Sequence, residues 1–154
     1  MIYVQKGLDG EPEVFLDPNT ISEEGTAAIN IIGISKDNKY VAYSRSDAGS
    51  DWQKIYVKEV ASKKQLDDEL EWVKFSGASW YKDGFFYSRY PAPKEGGELS
   101  ADNKNHSVYY HKLGDPQSKD ELVFADRSNP DYYHFGSVTA VSYTHLTLPT
   151  TPYV

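Results

Sequence analysis

Between Ile29 and Leu70 the apolar residues come in four short runs, each closed by a polar break: Ile29 to Ser35, Tyr40 to Ser44, Trp52 to Val60, and a weaker run around Gln65 and Leu66. Short runs rich in β-branched and aromatic residues and bounded by Asp, Asn, Gly and Ser read as strands, and four in succession predict an antiparallel meander. Lys36-Asp37-Asn38-Lys39 makes the first break a tight hairpin, because Asp and Asn side chains bond the local backbone and Asn tolerates positive φ. Sustained 3.6-residue stripes are scarce, so helices are not expected to carry the fold.

The unit recurs. IYVQKGLDGEPEVFLDPN from Ile2, IYVKEVASKKQLDDEL from Ile55 and VYYHKLGDPQSKDELVFAD from Val108 open on an aliphatic-Tyr pair, turn, and enter a second short strand. ISKDNKYVAYS from Ile34 and WYKDGFFYS from Trp80 interleave with them, each a strand end, a Lys-Asp hairpin and an aromatic strand. A period of about 50 residues with four strands per period belongs to β-propellers. The strands are also apolar on two sides: Ile55 and Val57 share one face while Trp52, Tyr56 and Val60 share the other. Sheets stacked on both sides bury both faces.

In chain order, Ile2 to Leu16 supplies the last two strands of a blade, closed by Asp17-Pro18-Asn19, and Ser22 to Thr26 leads into the complete blade. Val73 to Trp80, Phe85 to Tyr90, Ser107 to Leu113 and Glu121 to Ala125 form the next, with the Pro- and Gly-rich loop Pro91 to Asn105 as a surface excursion and the candidate for local disorder. Tyr132 to Ala140 opens a further blade. The fold class expected is all-β, a partial β-propeller of about two and a half four-stranded antiparallel blades. Its domain is expected to run over 1–140, in pieces near 2–19, 27–70, 73–126 and 132–140. Closed rings take roughly 4 to 8 blades, so the outer blades are expected to leave apolar faces to water and the isolated polypeptide to be marginal or sticky.

From Tyr132 to Val154 there is no Asp, Glu, Lys or Arg, in a chain that is 25% charged. SYTHLTLPTTPYV lacks the Lys-Asp hairpin due at that point of the repeat. It resembles translated adapter sequence at the broken end of a reading frame, and 141–154 is expected to be a non-native tail; the other reading is a Thr/Pro-rich linker.

Composition narrows the function. An apolar share of 39% and an aromatic share of 14%, including 13 tyrosines against one Met, suit a packed β core in a chain of 154 residues. A net charge of −7 argues against nucleic acid or an anionic membrane as partner. With no cysteine there is no disulfide, thiolate nucleophile or cysteine zinc site. The longest nearly apolar run, Ala27 to Ile34, is far short of the roughly 20 residues of a membrane helix, and MIYVQKGLDG shows no signal-peptide pattern.

Several motifs in one order carry a family resemblance. Gly10-Glu11, VFLDPN at Val14 to Asn19 with Ser22 and Gly25-Thr26, Gly49-Ser50-Asp51-Trp52 with Ala48 where the family has serine, Lys74-Phe75-Ser76, Trp80, Asp83-Gly84, Phe86-Tyr87, Tyr90-Pro91, and Tyr109-Tyr110-His111 with Leu113-Gly114 resemble the opening propeller segment of the prolyl oligopeptidases. The match covers roughly Ile2 to Ala140. What it implies is a cytoplasmic or periplasmic serine peptidase cutting short peptides after proline, with a seven-bladed propeller capping an α/β-hydrolase domain. The propeller would gate access of short proline-containing peptides and pack against the other blades and the hydrolase domain. The resemblance puts Phe75 where the family lines its substrate pocket with a propeller phenylalanine; by sequence alone, a core strand residue is the equal alternative. Two other classes stay open: the propeller of a non-enzymatic binding or scaffold protein, and that of a related oligopeptidase B or dipeptidyl peptidase.

No catalytic residue is expected within the chain. G-x-S-x-G is absent, and the nearest strings, Gly33-Ile34-Ser35-Lys36-Asp37 and Gly77-Ala78-Ser79-Trp80-Tyr81, precede hairpins instead of a strand-to-helix elbow. His106, His111, His134 and His145 lack metal-ligand spacing, so neither metal nor other cofactor is expected. Asp67-Asp68-Glu69 with Glu71 reads as a solvated charge run.

Overall fold

In a computed structural model the described residues are 1–21, 27–47, 49–93 and 103–139, with the backbone of 146–147. The elements are β1 (Ile2–Val4), β2 (Glu13–Leu16), α1 (Pro18–Ile21), β3 (Ala28–Ile34), β4 (Tyr40–Ser46), β5 (Gln53–Glu59), β6 (Gln65–Val73), β7 (Ser79–Tyr81), β8 (Gly84–Arg89), β9 (Ser107–Lys112), β10 (Glu121–Phe124), β11 (Ser137–Val138) and β12 (Leu146–Thr147). One 3-10 turn, Gln117–Lys119, precedes β10. Two antiparallel meanders, β3-β4-β5-β6 and β7-β8-β9-β10, lie between the pairs β1-β2 and β11-β12. This is the expected propeller architecture of successive four-stranded sheets.

The hairpins explain the register. Ser35 N–H donates to the Tyr40 carbonyl (2.9 Å), Asn38 N–H donates to the Ser35 carbonyl (2.9 Å), and Asn38 takes φ +56°. Asn adopts that left-handed turn more readily than most residues. In the matching Lys82-Asp83-Gly84 turn it is Lys82 that is left-handed, at φ +52°. Gly84 serves a different need: it lies against the His111 carbonyl on β9, where any Cβ would collide. The chain piece after β2 closes as α1, with Pro18 in its first turn and Asn19 N–H donating to Asp17 Oδ1 (3.0 Å).

Alternation along β4 and β5 sends side chains into two separate cores. Ala42, Ile55 and Val57, with Leu70 and Val73 of β6, face Ala78, Trp80, Phe85 and Tyr87 of the second meander. Val41, Tyr43, Tyr56 and Val60 face Phe15 and Leu16 of β2. Both faces of the first meander therefore carry apolar core, which is why its strands lack a wholly polar side. Lys58 adds to the second contact: its ammonium donates to the Phe15 carbonyl (2.7 Å) and lies over the Phe15 ring. The outer face of the second meander carries the half-buried ladder Tyr81, Phe86 and Tyr110.

Three boundaries differ from expectation. β6 is the longest strand and runs to Val73, so Val73 closes the first meander instead of opening the second. β7 is only Ser79–Tyr81, because Gly77 and Ala78 are drawn to β3, the edge strand of the neighbouring sheet, by Ala78 N–H donating to the Ile32 carbonyl (3.0 Å). Among the described residues of that stretch, 132–139, only Ser137–Val138 is strand; the Tyr132 to Phe135 backbone instead turns inward, where Ser88 Oγ donates to the His134 carbonyl (2.7 Å). The loop 94–102, the lead-in 22–26 and, apart from the β12 backbone, the tail 141–154 lie outside the described residues.

Candidate functional site

The start of β5, the end of β6, the end of β8 and the start of β9 meet at one end of the sheets. Tyr90 N–H donates to the Trp72 carbonyl (3.0 Å) and locks two of these ends together. Beyond β6 the chain makes an unusual turn: both Trp72 (φ +62°) and Phe75 (φ +52°) are left-handed, which is strained for bulky side chains. The turn inverts the normal order of burial. Lys74 is only 8% exposed, whereas Phe75 is 56% exposed. The Lys74 ammonium sits 4.1 Å from the centre of the Trp52 ring and donates to Asn103 Oδ1 (3.1 Å), so a desolvated cation is held by a π face and an amide oxygen. Trp52 stands edge-on to Trp72 and Tyr90. Phe75 is thus not a core strand residue; it projects from the end of the stack, its ring T-shaped against Tyr133 at 5.5 Å.

Behind this rim lies His106, 1% exposed. Its Nε2 is 3.2 Å from the Lys74 carbonyl, and its Nδ1 accepts from the His134 N–H (2.9 Å). Those partners require a neutral ring protonated at Nε2. Burial depresses its pKa to about 4, with a further push from nearby His134, against weaker support from the two backbone bonds.

A second histidine, deeper between the two meanders, is in the opposite state. His111 on β9 is wholly buried, its Nε2 donating to Asp68 Oδ1 (2.9 Å) and its Nδ1 donating to Asp120 Oδ1 (2.7 Å). Burial alone would lower its pKa; the hydrogen bonds and charges of Asp120 and Asp68 outweigh this and raise it to about 9. Asp68 also accepts from Gly114 N–H (2.6 Å), and Tyr87 Oη donates to the other oxygen of Asp120 (2.6 Å). Gln117 extends the chain, bonding Tyr87 Oη (3.1 Å) and both backbone groups of Glu71 (3.1 Å each). Burial pushes the Asp68 pKa up, but the His111 bond and charge and the Gly114 N–H leave it below the ordinary carboxylate value. The two carboxylates take opposite nitrogens of one ring, so they share no vertex for a cation.

Asp68 corrects the reading of its run as a solvated face. It is 4% exposed, while Glu69 and Glu71, further along β6, pair with Lys54 (2.7 Å each) at the surface. Of the histidines grouped by sequence, the structure joins His106 to His134 and sets His111 apart; His145 lies outside the described residues. Ser35 Oγ donates to Asp37 and accepts from Tyr40 N–H, and Ser79 Oγ accepts from Val138 N–H, so each serine anchors backbone. The signal for Asp68 was an alternation: in β6 it shares a face with Leu70, opposite Ile55.

These features define a stack of propeller blades with an aromatic rim at one end. The chain matches the family model for the prolyl oligopeptidase N-terminal β-propeller domain over residues 1–146. It is 48% identical over 139 residues to the prolyl endopeptidase of Elizabethkingia meningoseptica, an alignment that takes in 90% of this chain and 20% of that protein. Prolyl oligopeptidase A of Amanita bisporigera is 39% identical over 145 residues, covering 82% of this chain and 19% of the other. Among solved structures, prolyl oligopeptidase B from Galerina marginata, bound to a 35mer hydrolysis and macrocyclization substrate, superposes with a TM-score of 0.77 at 32% identity, over 85% of this chain and 20% of that one. The chain belongs to the prolyl oligopeptidase family, through its N-terminal β-propeller domain. It spans about a fifth of the length of these relatives, and neither the scaffold-protein reading nor a related peptidase of other specificity is favoured. No helix among the described residues is long and apolar enough to cross a membrane.

Proposed function

We propose that these blades form part of a gate over a serine peptidase active site, admitting short proline-containing peptides, with Phe75 as an apolar wall of the substrate path. The observation that carries the reading is the exposed Phe75 ring on a strained backbone, directly after the buried Lys74. A large aromatic held out of the core at the cost of a left-handed turn fits contact with something absent from this chain. Strain of this kind clusters at ligand sites because packing elsewhere must hold it. In this reading the outer blade faces pack on further blades and the rim faces a hydrolase domain, in a cytoplasmic or periplasmic setting.

The test is kinetic. The chain is grafted in place of the matching segment of the full-length Elizabethkingia meningoseptica prolyl endopeptidase, and Phe75→Ala is compared with the unsubstituted graft on a proline-containing peptide. Loss of one aromatic contact of about 1.4 kcal/mol is expected to raise KM about tenfold, with most of the loss in kcat/KM arising from KM. An unchanged KM would remove Phe75 from the substrate path.

A further inference from the structure

His111 needs two protons to make the bonds it makes. Asp68 Oδ1 lies 2.9 Å from its Nε2 and Asp120 Oδ1 lies 2.7 Å from its Nδ1. A carboxylate on each ring nitrogen leaves the imidazole no acceptor role, so both nitrogens carry hydrogen. Asp68 comes from β6 in the first meander, whereas His111 on β9 and Asp120 in the turn before β10 belong to the second. The charged bond at Nε2 therefore crosses the gap between the sheets, and the bond at Nδ1 stays within one. The rest of the surround is uncharged where it meets the ring. From β8 come Phe85, whose ring lies 5.5 Å from the imidazole, and Tyr87, whose hydroxyl donates to Asp120 Oδ2 (2.6 Å) and feels Arg89 of the same strand. The turn after β9 brings Gly114 N–H to Asp68 (2.6 Å). Asp120 and Asp68 supply the charges that act on the ring.

We propose that Asp68, His111 and Asp120 form a proton-operated latch between the two meanders: while the ring holds both protons the sheets are clamped, and loss of one lets them part along this gap with each sheet still folded. The latch stands whether or not Phe75 touches a peptide. A neutral imidazole has a single N–H. Whichever nitrogen keeps it, the other turns a lone pair toward a carboxylate less than 3 Å away, and two buried negative charges are left beside one neutral ring. An unpaired buried carboxylate is costly, and water reaching it through an opened gap relieves that cost. Other ties across the gap do not titrate near neutral pH: Ala78 N–H donates to the Ile32 carbonyl and Tyr90 N–H to the Trp72 carbonyl (3.0 Å each), and Gln117 bonds both backbone groups of Glu71. They hold the sheets at either charge state, so the proton on His111 sets how firmly. Within the sheets, β4 pairs with β5 and β8 with β9 over six residues each. Those ladders do not cross the gap and survive its opening.

Hydrogen–deuterium exchange of the graft described above, resolved by segment and corrected for the intrinsic pH dependence of exchange, tests the latch. Ala78, Tyr90 and Gly114 carry amides that donate across the gap; the ladders of β4 with β5 and of β8 with β9 serve as reference. Between pH 6.5 and 8.5 protection of the gap amides is expected to fall about fortyfold, near the limit of tenfold per pH unit set by one released proton. At pH 8.5 they should exchange about tenfold faster than the ladder amides or more, which marks an opening smaller than global unfolding. Asp68→Asn and Asp120→Asn each remove one of the two charges on the ring, and either should cut the fall to about sixfold. Glu69→Gln, at the surface of the same strand, should leave it unchanged. The unsubstituted graft decides the matter even where an Asn variant fails to fold. Gap protection that stays constant or rises from pH 6.5 to 8.5 overturns the proposal, and so does exchange of gap and ladder amides at one common rate. A full fortyfold fall persisting in both folded Asn variants overturns it as well.

Discussion

The two buried histidines predict a stability optimum near pH 6.5, because they shift in opposite directions. His111 is raised from 6.5 to about 9. Between those values the unfolded chain has released its proton while the folded chain keeps it, so stability falls as pH rises, by about 1.4 kcal/mol per pH unit and about 3 kcal/mol in all. Below 6.5 this contribution is fully present. His106 is lowered from 6.5 to about 4. Between those values the unfolded chain holds a proton that the folded chain refuses, so stability rises with pH, again by about 3 kcal/mol across the window. Both side chains are essentially inaccessible to water, so solvent screening does not erode either figure. The carboxylate contribution of Asp68, whose pKa is lowered, is lost only as pH falls below about 3.8. At the other extreme, burial raises Tyr43 to about 12, a contribution lost above about pH 10, where the unfolded tyrosine ionises. The window from pH 4.5 to 9 therefore belongs to the two histidines. Urea unfolding of the 154-residue chain, followed by fluorescence of its three tryptophans, is the assay. At about 1–3 kcal/mol per molar urea, the midpoint should drop by about 1–3 M on the alkaline side. Asp68→Asn removes one of the two carboxylates and should flatten roughly half of the alkaline limb while leaving the acid limb in place. A midpoint that stays constant or rises from pH 6.5 to 9 would refute the charged state assigned to His111.

Two further outcomes follow from close packing between and within the sheets. Gly33→Ala forces a methyl into the Ala78 carbonyl, where β3 meets the segment leading into β7, and should cost about 1–3 kcal/mol in a urea titration. Tyr87→Phe leaves Asp120 Oδ2 and the Gln117 amide without the hydroxyl that joins them; the expected loss is about 1–3 kcal/mol, and the His111 imidazole resonances should shift with it.

How far the sequence could be read depended on where the partner of each residue lies. The meander from Ile29 was legible because its signals are local: Asn38 turns the chain within its own hairpin, and Tyr56 faces away from Ile55 by the pleat alone. The family motifs were legible because they keep a fixed order along the chain. Asp68 was not, because what decides whether a carboxylate can be buried is a counter-charge, and His111 lies 43 residues away on another sheet. The same holds for His106, whose ring is bonded by residues 32 positions before it and 28 after it. Val73 was assigned to the wrong sheet for a related reason, since a run of Trp, Val and Phe looks alike whether it ends one sheet or begins the next. A pattern of period two reports which side of a sheet a residue faces, and on a blade packed on both sides it does not report what it meets there. The polar residues that tie blade to blade are consequently those whose local pattern looks least like a core. An Asp beside Asp67, Glu69 and Glu71 adds a charged link between the first meander and the second, because a carboxylate that finds its opposite charge across the gap can be buried there without the several kcal/mol that an unpaired buried ion costs.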